Sequence, residues 1–198
     1  MTDPNDTWPL PQYDPGPKDL VHALGVITIE YNKFETALFG LFRHHLEAHG
    51  LPTGLVEDFY THLNEGHRLA VIQSIFARCE KDDLVKDRVS ELIRYFNTCA
   101  ENRNILMHST STGSHNRDVL DIAKRSKNVW SRLNYSLVKL ETLKLIADDM
   151  FRGFNYMFDI FWYIQVRDGK AGGVLPALFP ASLPGALPPP FKLEMFQR

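Results

Sequence analysis

The sequence lacks the features that mark exported and membrane-spanning proteins. It has no uninterrupted apolar run of about 18 residues, the length that a membrane helix requires. Its most apolar stretch, residues 154–166, is broken by Asn155, Asp159 and Gln165. The N-terminus has neither a basic start nor an apolar centre, so it does not read as a secretory signal. We therefore expect a soluble, cytoplasmic protein with no membrane association.

The chain also has few cysteines and a small net charge. Cys79 and Cys99 are the two cysteines of the chain, and both fall within helical apolar patterns, which indicates reduced packing residues. No recognisable metal motif, glycine-rich phosphate loop or G-x-S-x-G motif is present, so we predict no cofactor and no metal. The formal net charge is −2. Binding of nucleic acid would therefore need a local basic patch.

Proline marks the two ends of the chain. Residues 1–17 contain five prolines, which predict an extended N-terminal arm because proline cannot join a helical ladder. Residues 169–198 are rich in proline, glycine and leucine. We expect this tail to lie on the domain or on a partner subunit, or else to be a disordered recognition segment. The region between, residues 18–168, is predicted to form one helical domain.

Apolar residues recur at helical spacing in four segments of this domain. They predict helices at about 18–48, 54–79 and 141–167, the second with a possible break near Gly66. Another helix, the third in chain order, is predicted to begin at the N-cap candidates Asp82 and Asp83 and to end before a polar loop, residues 109–116. Residues 118–126 and 129–138 favour a β-hairpin over a helix, since both are short and rich in β-branched and aromatic residues. The predicted fold is therefore mainly all-α: an antiparallel bundle of about four long helices, with a small hairpin between the third and the last.

The third helix carries a polar stripe that ends in a histidine. At about 100° per residue, Asn97, Glu101, Asn104 and His108 fall within about 60° of one another. Arg103 instead continues the apolar stripe, about 140° away from His108. An arginine on a packing face needs an anion or a partner, because burying it unpaired is costly. The simplest interpretation is a solvated helix face, with Arg103 paired to Glu35 or Glu101.

The residues on either side of Arg103 form a longer pattern. The segment ENRNILMHS, residues 101–109, closes a long helix and resembles the signature of the HEPN superfamily (higher eukaryotes and prokaryotes nucleotide-binding): an arginine, often a polar residue, then three variable residues and a histidine. The resemblance extends over residues 18–167. A first helix with Glu35 among apolar neighbours and a long last helix are consistent with it.

The resemblance implies a homodimeric, metal-independent endoribonuclease, of the kind found in toxin–antitoxin or phage-defence systems, with an antitoxin as a possible protein partner. His108 would be the acid–base group, and Arg103 would stabilise charge on the phosphate. Asn104 would orient His108 or hold a phosphate oxygen, and Glu101 would align Arg103 or His108. Since Arg103 and His108 diverge on one helix, the site is expected to combine residues of two chains.

Two alternatives remain open at this point. Many members of the superfamily do not cleave RNA but bind a nucleotide or a protein, and a third possibility is a structural dimer in which Arg103 closes a buried ion pair. Basic residues follow the motif and could flank an RNA-binding cleft or simply solubilise the hairpin. They are Arg117, Lys124, Arg125, Lys127 and Arg132.

A second group of histidines lies at the end of the first helix. His45 and His49 have the four-residue spacing of two metal ligands on one helix face, and His44 is adjacent. No further ligand completes a recognisable motif in the sequence. We interpret these histidines as a solvated helix end rather than as a metal site.

Overall fold

The structure, a computed structural model, describes residues 17–111, 118–125 and 133–172. Most of the predicted arm (1–16) and tail (173–198) lies outside the described residues. The elements are α1 (Lys18–Ala48), α2 (Thr53–His62), α3 (Glu65–Cys79), α4 (Asp83–Met107), β1 (Thr110–Ser111), β2 (Val119–Arg125), β3 (Leu133–Lys139) and α5 (Leu140–Arg167). The prediction of a mainly helical fold with a small hairpin is confirmed.

The helix ends follow local signals in the sequence. Pro17 precedes α1, and Gly50 takes a left-handed conformation, φ +85°, after it ends. The predicted second helix is two helices, because the chain turns extended at Leu63 and Asn64. The Asn64 side chain then caps α3 by accepting a hydrogen bond from the His67 amide at 3.0 Å. Asp82 caps α4 in the same way, as its position before the apolar pattern predicts.

The bundle has α4 packed against two parallel helices, α1 and α5. The N-terminal part of α1 faces that of α5 across a groove lined by both, and His44 near the end of α1 contacts Gln165 near the end of α5. Helix α4 runs the other way. Its Phe96 packs on Tyr31 and Phe34 of α1.

Gly153 lets α5 pack directly against the Phe34 ring of α1. A Cβ atom at this position would lie 2.4 Å from Cε1 of Phe34 and 3.0 Å from Cε1 of Tyr95. Both aromatic residues are buried in the core. The glycine therefore fixes how closely α5 lies to its two neighbours.

The predicted hairpin is the centre of a three-stranded antiparallel sheet with the order β1-β2-β3. Strand β2 pairs along its full length with β3, with Val119 opposite Lys139 and Arg125 opposite Leu133. Two residues of the predicted polar loop, Thr110 and Ser111, add β1 to the edge. The sheet follows directly on the end of α4, so it lies beside the motif. In the part of the chain that the structure describes, no helix is long and apolar enough to cross a membrane.

Candidate functional site

Arg103 lies on the inner side of α4, against α1. Its Cζ is 5.2 Å from the centre of the Tyr31 ring, within the range of a cation–π contact. Its Nη1 donates a hydrogen bond to Oδ1 of Asn104 at 2.9 Å. Its Nε is buried and has no hydrogen-bond partner among the described residues. The side chain is half-buried, which agrees with its predicted place on the packing stripe.

The described residues offer Arg103 no carboxylate. Neither of the two partners expected from the sequence is paired with it. Glu35 instead binds Arg68, with Oε1 2.9 Å from Nη1, and Glu101 is exposed. The expected ion pair between Arg103 and Glu35 is thus wrong, because Arg68 on α3 supplies the cation for that glutamate.

His108 lies immediately after α4 and caps it through its backbone. Its amide donates to the Asn104 carbonyl at 3.2 Å, and its side chain is exposed. Exposed Asn97 and Glu101 precede it on the same polar stripe, whereas Asn104 is half-buried. Within residues 17–111, 118–125 and 133–172, no hydrogen bond joins the side chains of His108 and Arg103. The structure therefore brings Asn104 to Arg103 rather than to His108.

The end of α4 is anchored from the core side. Asn102, Ile105 and Leu106 are buried, and the Met107 sulfur accepts a hydrogen bond from Oγ1 of Thr28 at 3.4 Å. These contacts hold the last turn of α4 on α1. The backbone that carries Arg103 and His108 is therefore fixed, which is what a preorganised binding site needs. Of the basic residues after the motif, Arg117, Lys127 and Arg132 and the side chains of Lys124 and Arg125 lie outside the described part.

A second polar cluster lies at the opposite end of the bundle, and the interpretation of its histidines from the sequence was wrong. Its members are His44, His45, Glu80, Arg167 and Asp168. His44 and His45 are each only 5% exposed, so their interpretation as a solvated helix end is wrong; only His49 is exposed. The His45 ring stacks on Phe76 with 3.8 Å between centres. The sequence held a signal for this, since His45 follows buried Leu38 by seven residues and so continues the apolar face of α1.

Burial controls the ionisation of these histidines. It lowers the pKa of His45 to about 4, and neighbouring His44 adds to this shift. It also lowers the pKa of His44, with a further contribution from Lys170. Both rings retain polar contacts: Nε2 of His44 lies 3.2 Å from Asp168, and Nε2 of His45 lies 3.4 Å from Glu80.

Glu80 connects three helices at this end. Its carboxylate accepts two hydrogen bonds from the Arg167 guanidinium, at 2.9 and 3.1 Å. It also accepts the amides of Lys81 and Asp82 at 2.9 Å each. Burial opposes ionisation of Glu80, but these hydrogen bonds outweigh it and hold its pKa below the ordinary value.

The cluster borders an open cavity of about 500 Å³. Among the residues that the structure describes, no group of three or more histidine, cysteine or acidic side chains is arranged to hold a metal ion. With its charges already paired, the cluster joins the ends of α1, α3 and α5 to the start of α4.

Comparison of this chain with models of protein families, with curated proteins and with solved structures finds no match.

Proposed function

We propose that this protein is a HEPN-type, metal-independent endoribonuclease that acts on single-stranded RNA through Arg103 and His108. The observation that carries the proposal is the state of Arg103. It is half-buried on Tyr31, one of its side-chain nitrogens is buried without a hydrogen-bond partner, and no described carboxylate neutralises it. A guanidinium in this state favours an external anion, and its planar donors match the oxygens of a phosphate.

The third possibility from the sequence, a purely structural role, required a carboxylate partner for Arg103. The described residues provide only the neutral amide of Asn104. A neutral partner orients the guanidinium and leaves its positive charge uncompensated. This difference favours a ligand-binding role over a structural ion pair.

Arg103 and His108 have the residue types needed to promote attack of the RNA's own 2′-hydroxyl on the adjacent phosphate. His108 of one copy takes the proton of the 2′-hydroxyl, whose oxygen then bonds to phosphorus. The bond from phosphorus to the 5′-oxygen breaks, and that oxygen takes a proton, leaving a 2′,3′-cyclic phosphate and a 5′-hydroxyl. Arg103 binds the phosphate oxygens on which negative charge develops.

This reaction needs a base and an acid, whereas the motif contains one histidine per chain. His108 is exposed on the outward stripe and Arg103 lies on the side of α1, so one helix does not bring them together. We therefore propose that two copies meet at this surface and that His108 of the partner subunit supplies the second proton-transfer group.

The experiment is cleavage of a single-stranded RNA in the presence of a chelator. The wild-type protein is expected to produce cyclic phosphate ends, and His108→Ala is expected to lower the rate by about 10²–10⁴-fold. His49→Ala, which removes an exposed histidine just after α1, is the matched control. Equal rates for wild type and His108→Ala, or no cleavage by wild type of RNAs of varied sequence, would exclude the nuclease.

A second candidate is a non-catalytic module that binds a nucleotide or RNA. The lack of a described hydrogen bond between His108 and Arg103 favours it. This module would bind a 2′-deoxy oligonucleotide with an affinity that falls in Arg103→Ala and is unchanged in His108→Ala, without any cleavage of RNA.

A further inference from the structure

Helix α5 exposes a row of aromatic side chains. Phe151, Phe158 and Trp162 are 52%, 51% and 42% exposed, and at about 100° per residue they fall within about 40° of one another. We call these three residues the aromatic row. Isolated exposed apolar residues are common, but three large ones aligned on a single helix form a patch.

The spacing within and beside the row is that of a helix-pairing seam. Phe151, Asn155, Phe158 and Trp162 follow one another at intervals of four, three and four residues. This is the alternation of the two core positions in a coiled coil. Asn155 is exposed and takes one core position, where it interrupts the apolar seam.

The two flanks of the seam differ. On one side, Phe154 and Phe161 are half-buried and pack on the core, so this flank is already covered. On the other side, Arg152 and Asp159 stand seven residues apart on one edge. The Arg152 side chain is 46% exposed, and Asp159 is exposed. The open flank thus carries one charge of each sign.

We propose that the aromatic row packs against the same row of a second copy of this chain, with the two α5 helices antiparallel. In such a pair, each flank meets its own counterpart. Placing Phe151 beside Trp162 of the partner subunit also places Asn155 beside Phe158 of the partner subunit. The same register brings Arg152 next to Asp159 of the partner subunit, twice, by symmetry.

The self-complementary charge is the reason to choose a second copy rather than a different partner. A parallel pairing would not join Arg152 to Asp159, because the two residues lie on the same flank. With half-exposed aromatic side chains of about 200 Å² each, the row contributes about 300 Å² of apolar area per copy. This is the centre of an interface that typically needs about 800 Å² per partner, and the charged flank with Arg152 and Asp159 extends it.

This inference does not rest on the proposed function. Helix α5 meets α4 through Asp149 and Tyr156, and Asp149 lies about 160° around the helix from Phe151. Pairing through the aromatic row therefore leaves the outward stripe of α4, with His108, open to RNA and to a further copy.

The test is the mass of the full chain in solution, by light scattering or sedimentation equilibrium. Phe158→Gln is expected to halve the mass of the wild-type assembly. Leu145→Gln is the matched control, because Leu145 is also on α5 and 61% exposed but lies about 120° from the row. Circular dichroism establishes that each variant is folded.

Charge exchange tests the register. Arg152→Asp and Asp159→Arg are each expected to weaken association by about tenfold or more, since each places like charges together twice. The double variant, and a mixture of the two single variants, are expected to restore it. Because Arg152 also binds Asp149 at 3.0 Å, Asp159→Arg provides the reading that does not disturb this internal pair.

A monomeric wild-type chain would overturn the inference, as would an assembly whose mass Phe158→Gln does not change. Restoration failing in both the double variant and the mixture would overturn the antiparallel register. A chain that associates only after removal of residues 173–198 would assign the aromatic row to that segment instead. None of these outcomes depends on whether the protein cleaves RNA.

Discussion

The guanidinium of Arg103 lies over the ring of Tyr31, with Cζ 5.2 Å from the ring centre. Among the described residues, no carboxylate is paired with it. The arrangement places a positive charge on the face of an aromatic ring that is itself 2% exposed. The ring supports the cation from below, and Asn104 orients it from the side. The remaining Nη donors of Arg103 are those that we assign to phosphate.

Tyr31 should therefore matter through its ring rather than through its hydroxyl. We expect Tyr31→Phe to preserve RNA affinity. Tyr31→Leu is expected to weaken it by about 2–30-fold, the loss of about 0.5–2 kcal/mol of cation–π energy. Binding of a 2′-deoxy oligonucleotide measures this without cleavage. In Arg103→Ala, the two Tyr31 variants should no longer differ; a difference that persists there would show that Tyr31 acts independently of Arg103.

Acid is expected to destabilise the protein through its buried histidines. Burial lowers the pKa of His45 in the folded protein to about 4, whereas a histidine in the unfolded chain takes up a proton near pH 6.5. The unfolded state therefore binds more protons between these values, and the free energy of unfolding falls as the pH drops from about 6.5 to 4. His45 alone should contribute about 3 kcal/mol of this change.

Thermal unfolding as a function of pH measures the effect. His45→Phe, which retains stacking on Phe76, should flatten the stability profile between pH 6.5 and 4. A profile as steep in His45→Phe as in the wild type would refute this assignment.

Gly153 and Gly25 offer a matched pair of glycine substitutions. Gly153→Ala would place Cβ 2.4 Å from the Phe34 ring, so we expect a loss of about 1–3 kcal/mol or more from overpacking. At Gly25 on α1, nothing lies within 4 Å of an added Cβ, so Gly25→Ala should stabilise the helix by about 0.5–1 kcal/mol. Urea denaturation gives both values; similar effects at the two positions would contradict the packing of α5 on α1.

Arg167 should contribute strongly to the stability of the fold because the Glu80 carboxylate that it pairs with is buried. Removing it in Arg167→Met leaves the Glu80 carboxylate, whose side chain is 4% exposed, without its cation. We expect a loss of about 3–5 kcal/mol. In Glu80→Gln/Arg167→Met, the uncompensated charge is gone, so part of this loss should be recovered. A double variant no more stable than Arg167→Met would show that the loss does not come from an unpaired charge on Glu80.

Local patterns predicted the elements well. The hairpin was indicated by two short β-rich segments, and Asp82 was a candidate cap for the start of α4. The position of Arg103 also followed from periodicity, because a residue in phase with Phe96 and Cys99 must face the bundle. What periodicity could not show was its neighbour, since Tyr31 lies on a different helix.

The second polar cluster could not be predicted because its partners are distant in the chain. Glu80 and Arg167 are 87 residues apart. Only the parallel packing of α1 and α5 brings the end of α5, with Arg167 and Asp168, next to His44. A histidine on the apolar face of α1 costs less to bury when it remains uncharged and finds polar partners at the ends of other helices. The sequence shows the face but not those partners.

The most direct measurement of the central claim is the rate of RNA cleavage by Arg103→Ala in a chelating buffer, beside the wild type and Arg78→Ala. Arg78 is an exposed arginine on α3, so its variant removes the same charge away from the motif. If Arg103 stabilises the phosphate in the transition state, its loss should lower the rate by about 10²–10³-fold, while Arg78→Ala should match the wild type. Equal rates in Arg103→Ala and Arg78→Ala would contradict the account.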